Sequence, residues 1–421
     1  MTPFERLNRA ASATGHRGHG PSRQSLEDYY EGRSRLSALG VSLPPNVRLL
    51  EMVSPFPKLA IDVLAEVLVP DGFIMGTDSK TPGILRRWWQ ANDMDTQIDL
   101  AIVEALVQGQ AYWVVGPGTG DIPRVTAHNA TGVAVRYDHM GQVAEGVRRY
   151  VREGELHAVH FLPGRNDYYL RSRETREWIK TGEIVTGAQR PAIVPMRNRA
   201  RLADHHGRSE LLEILGMADA SSRTLTGLQL AQELQAWPMR YLFSDDEEAG
   251  DRLGAWIGGV VTGPSGSSMG QLTGADLSQF QNTYKLYAQV VSSITGIPPS
   301  MLAVSTDNPA SAEAMRVAKD RLISRAETKA SMFGDSLEDV ARLALEIGGV
   351  EVEAPETLEQ RWRDPATASE SARGALLLQA HAQGVISAET AREGLRLTPE
   401  QLARESAASN TTYTAQRQLG G

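Results

Sequence analysis

GIPPSMLAVSTDNPASAEAMRVAKDRL, residues 296–322, runs from a stiff Pro-Pro corner through a loop of small polar residues and then, abruptly, into a helix. Proline locks φ near −65°, so Pro298-Pro299 fixes the direction in which the loop departs. Asn308 and Pro309 suit an N-cap and a first helical position, and Glu313 favours the positive end of the helix that follows. From Ala312 onward, Met315, Leu322, Ala326, Ala330, Phe333, Leu337, Val340 and Ala344 fall on one face at 100° per residue. A continuous helix over 312–346 would be ~50 Å long at ~1.5 Å per residue. Val304, Ser305, Thr306, Asp307 and Asn308 thus form a loop between a rigid corner and a long rod, anchored by Gly296, Pro298 and Pro299. Arg321, Arg325 and Lys329 make a separate basic stripe on another side of the rod.

The chain around this stretch has 421 residues, 41% apolar and 22% charged. Single hydrophobic cores stop growing near ~250–300 residues, so more than one domain is expected. No run of ~18 apolar residues occurs, and the N-terminus lacks the apolar core of a signal peptide. Neither membrane insertion nor secretion is indicated, and a cytoplasm-like compartment is expected. The absence of cysteine excludes disulfides, thiolate metal sites and cysteine nucleophiles. A net charge of −8 argues against tight, sequence-independent wrapping of DNA, which needs many Lys/Arg contacts to phosphate. It does not argue against loose contact.

Along the chain, Thr2, Pro3 and Glu5 give a capping-box start to a first helix. A polar Gly/His/Arg stretch, expected to be mobile, follows it. Residues 54–69 and 94–110 carry apolar residues at helical spacing. From 111 to about 195 the pattern becomes short β-type runs separated by turn residues, a mostly antiparallel sheet. Helical periodicity resumes over 208–235 and stops before Trp237-Pro238. Residues 239–275 are Gly-rich and irregular, with YLF, WIGGVV and QL as short strands, and a helix over 276–294 then runs into Gly296. From Trp362 the chain reads as short helices, started by Asp364-Pro365 and by Thr398-Pro399 with Gln401. The fold class is α+β.

No catalytic constellation rises above the structural reading of its residues. His157 and His160 sit in a β-type run, where i and i+3 point to opposite faces. His205-His206 lies in a polar loop. GPGTGD at 116–121 lacks the Lys-Ser/Thr pair of a phosphate loop and reads as a hairpin turn. TGPSGSSMG lacks the spacing of a nucleophile elbow. Asp245, Asp246, Glu247 and Glu248 read as a solvated acidic surface. No enzyme activity, cofactor or metal is expected. The competing class, an unrecognised hydrolase, would show a buried carboxylate pair of raised pKa in a pocket.

Several phrases, in order, carry a resemblance: YYEG at 29–32, VPMRNRARLADHHGRSE at 194–210, TGIPPSMLAV at 295–304, NPASAEAMRVAKDRL at 308–322 and WRDPATASESARGALLLQAHAQGVIS at 362–387. Together they resemble the portal proteins of tailed siphoviruses found in phages of actinobacteria. The resemblance implies a cyclic ring, usually of twelve copies, at one capsid vertex of the virion, assembled in the host bacterial cytoplasm. It implies an N-terminal segment (1–30), a wing (31–207), a stem helix (208–236), a clip (237–275), a second stem helix (276–299), a tunnel loop (300–311), a long wing helix (312–350) and a crown (351–421). Implied partners are double-stranded DNA passing through, the large terminase subunit, the head-tail adaptor, and the major capsid and scaffolding proteins, with no membrane. Asp245 to Glu248 would then lie near the clip surface for terminase or adaptor, and Arg321, Arg325 and Lys329 at a subunit interface. An alternative is a minor capsid component, which would lack paired stem helices around a clip.

Overall fold

The computed structural model describes residues 2–12, 21–34, 51–76, 80–199, 201–236, 240–243, 268–271, 276–302, 312–365 and 370–395. The chain divides into two compact units, Met1–Arg363 and Asp364–Gly421.

The centre of the first unit is a three-stranded antiparallel sheet of β2 (Gln110–Thr119), β3 (Ile122–Asn129) and β9 (Ile193–Arg197), in the order β3-β2-β9. Strand alternation sends successive side chains to opposite faces, and both faces here are apolar. Tyr112 and Ile193 look one way, toward Val133, Val135, Val159 and Phe161. These belong to a five-stranded antiparallel sheet of β4 (Val133–Tyr137), β5 (Val143–Arg152), β6 (Glu155–Leu162), β7 (Arg165–Arg171) and β8 (Trp178–Val185). The antiparallel region expected from residue 111 is therefore two stacked sheets. The GPGTGD stretch closes the β2–β3 hairpin, as its turn reading required. The outer face of the larger sheet is covered by α1 (Pro3–Ser12), through Phe4, Leu7 and Ala11 on Val147 and Ala158. That helix begins with the expected capping box: the Thr2 N–H donates to Glu5 Oε2 (2.8 Å) and the Glu5 N–H to Thr2 Oγ1 (3.2 Å).

Ala111, Trp113, Val115, Val194 and Met196 look the other way, into the main core. There the sheet is covered by α5 (Met94–Gln108), packed mainly on β3 and β2, and by α8 (Ala312–Ile347), packed on β9 and β2. Helix α8 spans Ala312–Ile347 without a break, the rod expected over 312–346. Leu322, Ala326, Phe333, Leu337, Val340 and Ala344 on its anticipated apolar face are all buried. Side chains of residues 312–318, and with them Met315, lie outside the described residues.

Helices α2 (Arg23–Tyr30) and α3 (Phe56–Glu66) flank α5. Two elements have no counterpart in the sequence expectations. Helix α4 (Lys80–Ala91) contributes Leu85 and Trp88 to the core. Strand β1 (Pro70–Met75) pairs antiparallel with β12 (Leu358–Trp362), so the start of the helical section expected at Trp362 is corrected. Residues up to Arg363 belong to the main body because Trp362 pairs with Pro70.

Helices α6 (Leu215–Ala236) and α7 (Ser278–Thr295) pack on each other. Between them in the chain, β10 (Arg240–Phe243) pairs with β11 (Ser268–Gln271); the latter strand is SMGQ, where QL was expected. Residues 244–267 are not described, and Trp237-Pro238, WIGGVV and most of TGPSGSSMG fall outside the described residues. Helix α6 holds the chain before α3 by hydroxyls: the Ser54 N–H donates to Ser222 Oγ (2.9 Å) and the Met52 N–H to Thr226 Oγ1 (3.0 Å).

In the second unit, α9 (Glu370–Ala382) packs on α10 (Ala388–Gly394). The Thr398-Pro399 start lies outside the described residues, as does the stretch after α1. Helix α9 is described from Glu370, not from Asp364-Pro365.

Phe333 is fully buried where α8 meets the main core. Phe333→Ala is expected to destabilise the monomer by about 3–5 kcal/mol through lost transfer energy and a residual cavity, measured by urea denaturation followed by tryptophan fluorescence.

Candidate functional site

The stretch that leads into the loop is built as a clamp. Helix α7 ends at Thr295, and Gly296 takes the left-handed conformation at φ +74°, its N–H returning to Ser292 O at 2.8 Å. A side chain is excluded there twice, because φ is positive and an added Cβ would sit 2.8 Å from Arg321 Cγ. The Thr295 hydroxyl donates to Val291 O (2.8 Å) and accepts the Ile297 N–H (3.3 Å). Ile297 and Leu302 are buried in the main core, and Pro299–Leu302 forms a single 3-10 turn, the Met301 N–H bonded to Pro298 O at 2.9 Å. Gly296, Pro298 and Pro299 thus stand in a hydrogen-bonded turn that is packed on the main core through Ile297 and Leu302. The loop residues Val304, Ser305, Thr306, Asp307 and Asn308, with Pro309, lie outside the described residues, as do Asp245, Asp246, Glu247 and Glu248.

The basic stripe of α8 has partners in its own chain. The last carbonyls of a helix lack intrahelical donors and carry the negative end of its dipole. Arg321 donates to Ser293 O and to Ile294 O (3.4 Å), and Arg325 Nη1 donates to Ile294 O (3.0 Å). Arg325 Nη2 also pairs with Glu210 Oε2. Lys329, 7% exposed, places its ammonium 2.6 Å from Glu210 Oε1 and donates to Asn198 Oδ1 at 2.5 Å. Within the chain, these cations, expected at a subunit interface, cap α7 and close on Glu210. Their partners lie far away in sequence and could not be read from it.

Glu210 ends the VPMRNRARLADHHGRSE phrase and stands in a 3-10 turn, Glu210–Glu213, capped by the Ser209 hydroxyl. Asn198, at the start of the same loop, donates its amide to Glu210 Oε1 (2.8 Å) and to Arg208 O (2.7 Å). The loop is tied to the end of α5, with the Asn198 N–H on Gly109 O at 2.9 Å. Gly207 passes so close that a Cβ there would lie 1.8 Å from Gly109 O, so only glycine fits. Burial pushes the Glu210 carboxyl toward the neutral form, but Lys329, Arg325 and the Asn198 amide outweigh it and hold the pKa below the ordinary carboxylate value.

The other residues weighed in the sequence are not gathered here. His157 stacks on Tyr150 (5.3 Å) on one face of the larger sheet. His160 points to the other face and meets Glu145 Oε2 at 2.8 Å. His205 lies in the loop before Glu210, exposed. Among the described residues no group of three His, Asp or Glu is placed to hold a metal ion.

A partner charge removed from a buried pair leaves the other uncompensated. Glu210→Gln is therefore expected to cost about 3–5 kcal/mol at neutral pH by urea denaturation. Because the folded pKa of Glu210 is depressed, its contribution is present above the ordinary carboxyl pKa and is lost as pH falls through the folded value. The gap between wild type and variant should narrow in acid.

The family described as phage portal protein, SPP1 Gp6-like, matches residues 19–410. The portal protein of Mycobacterium phage D29 is 31% identical over 396 residues, covering 88% of this chain and 82% of the relative. That of Mycobacterium phage L5 is 31% identical over 394 residues, covering 87% and 81%. Among solved structures, a chain in the neck of a native gene transfer agent particle computed with C12 symmetry overlays with a TM-score of 0.48 at 16% identity, covering 94% of this chain and all of that one. A chain in the neck of the empty particle computed with C6 symmetry overlays at 0.46 and 18% identity, covering 93% and 98%.

Proposed function

The chain belongs to the family of SPP1 Gp6-like phage portal proteins and is a phage portal protein, a structural ring subunit of the virion, and from that premise we propose how its parts divide the work. Twelve copies close into one ring at a capsid vertex and leave a single axial channel, since heterologous contacts repeated by rotation enclose a hole. Double-stranded DNA passes through that channel during packaging and ejection. Residues 31–207 form the wing and α8 the helix that crosses from it. Helices α6 and α7 are the paired stem, the chain between them is the clip, and the helices after Asp364 belong to the crown. Asp245, Asp246, Glu247 and Glu248 offer an acidic clip surface to the large terminase subunit and then to the head-tail adaptor. Major capsid and scaffolding proteins surround the ring during assembly in the host cytoplasm.

One observation supports the tunnel-loop reading most directly: the residues just before the loop are fastened to the helix just after it. Arg321 and Arg325 of α8 hold the final carbonyls of α7, and Lys329 and Arg325 lock onto Glu210. A segment between 303 and 311 can shift against moving DNA without loosening its base. Val304, Ser305, Thr306, Asp307 and Asn308 carry no positive charge, so they can touch phosphates without gripping them.

Deleting Val304 to Asp307 is expected to leave ring assembly intact, seen end-on by electron microscopy, while DNA-filled heads fall in yield in a complementation assay. A normal yield of filled heads from the deletion would remove the tunnel-loop role.

A further inference from the structure

Two surfaces of the first unit, one at the β9 edge of the three-stranded sheet and one on the outer side of the helix that covers β3 and β2, are opposite in charge. At the β9 edge a cleft of about 480 Å³ opens between β9, α8 and the β4–β5 hairpin. Arg197, Arg199 and Arg201 line it at alternate positions, and Leu202 beside them is 87% exposed. Arg197 lies over the Tyr137 ring at 5.0 Å. Arg199 donates to Leu202 O (3.0 Å) while its Nε is buried without an acceptor. None of the three arginines forms an ion pair among the described residues. The acids nearby are engaged or set apart: Asp204 accepts the Arg201 backbone N–H (2.9 Å), Asp339 pairs with Arg190 (3.2 Å) and Arg342 (3.3 Å), and Asp335 stands on the α8 wall of the cleft.

At the β3 edge, α5 is fastened by Gln97, whose amide bonds Val125 O (3.2 Å) and the Ala127 N–H (2.7 Å). Its outer surface carries Asp95 and Asp99, with Leu100 60% exposed beside them, and Glu104 is half-buried toward α2. Among the described residues no cation stands within ion-pair distance of these three acids. Arg33 serves Glu27 and Asp28 on the adjoining α2, and Glu31 at its C-cap, instead. Glu104 Oε2 is buried without a donor. Burial, and then Asp95, push the Asp99 carboxyl upward, and burial, and then Glu27 and Glu31, push that of Glu104 upward.

A ring built from one chain needs two different, complementary surfaces on opposite sides of each copy. We propose that in the ring the arm carrying Arg199, Arg201 and Leu202 of one copy docks on the Asp95, Asp99 and Glu104 face of α5 of the next copy, Leu202 packing against Leu100. The inference rests on the portal reading. Opposite charge selects the register and speeds encounter, and the two leucines supply apolar area that each copy alone leaves in water.

The test uses the full chain and two exposed substitutions, Asp99→Arg and Arg201→Asp, with rings counted by electron microscopy and sedimentation velocity. Each variant alone is expected to lose rings by about tenfold or more at the wild-type assembly concentration, with monomer melting unchanged. An equimolar mixture is expected to recover them. In an alternating ring each wild-type arm meets a wild-type face, and each arm made acidic meets a face made basic, so every contact is again matched. Wild-type ring yield from either variant alone, or no recovery in the mixture, overturns the proposal. Leu202→Ser is expected to reduce rings in the same way, and unimpaired rings from it overturn the docking of that arm. If the wild-type chain itself forms no rings, the portal reading fails, an outcome distinct from rings that ignore the substitutions.

Discussion

The ion cluster at Glu210 is the constraint on which the rest of the molecule depends. One carboxylate receives Lys329, Arg325 and the Asn198 amide at once. Through those partners it joins the loop after β9, the middle of the long helix and the end of α7. Burying charge is costly unless it is paired and its remaining lone pairs are satisfied. Here both carboxylate oxygens are occupied, and the same arginine that pairs with Glu210 also caps a helix. The cluster therefore fixes the relative position of these three elements.

Above that cluster, the stacked sheets give α8 a flat bed. The three-stranded sheet has one apolar face for the larger sheet and another for the helices, so it acts as the middle layer. Because both of its faces are covered, contact with other molecules falls to its edges and to the outer side of the helices that cover it. The β9 edge carries arginines and an exposed leucine, and the outer side of α5 acids and an exposed leucine. That asymmetry suits a closed ring, in which each copy must be a donor on one side and an acceptor on the other.

Much of this was legible in the sequence where the signal is local. The capping box of α1 needs only Thr2 and Glu5, three residues apart, and it forms as read. The α8 helix was visible because a regular apolar face over so many residues has no other use than packing on one layer. Helix α4 was missed because Thr81-Pro82-Gly83 at its start reads as a turn. The β1–β12 pair was missed for a different reason. Gln360 bonds Gly72 O from 288 residues away, and a strand whose partner is that remote carries no periodic mark of it. The basic stripe was seen as a stripe, but its acidic partner lies 115 residues earlier than Arg325.

By itself, then, the sequence determined most of the element types, the long rod, the Gly-Ile-Pro-Pro corner and, through ordered phrases, membership of the portal family. Those are properties of short windows: periodicity, capping chemistry and turn residues act within a few positions along the chain. Only the tertiary structure decided that the Arg321 to Lys329 stripe closes on α7 and Glu210, that the antiparallel region splits into two stacked sheets, and that residues 358–362 return to the main body. Each of those outcomes depends on which distant surface a side chain meets, and that is settled by packing and charge pairing across the fold, where sequence distance carries no information.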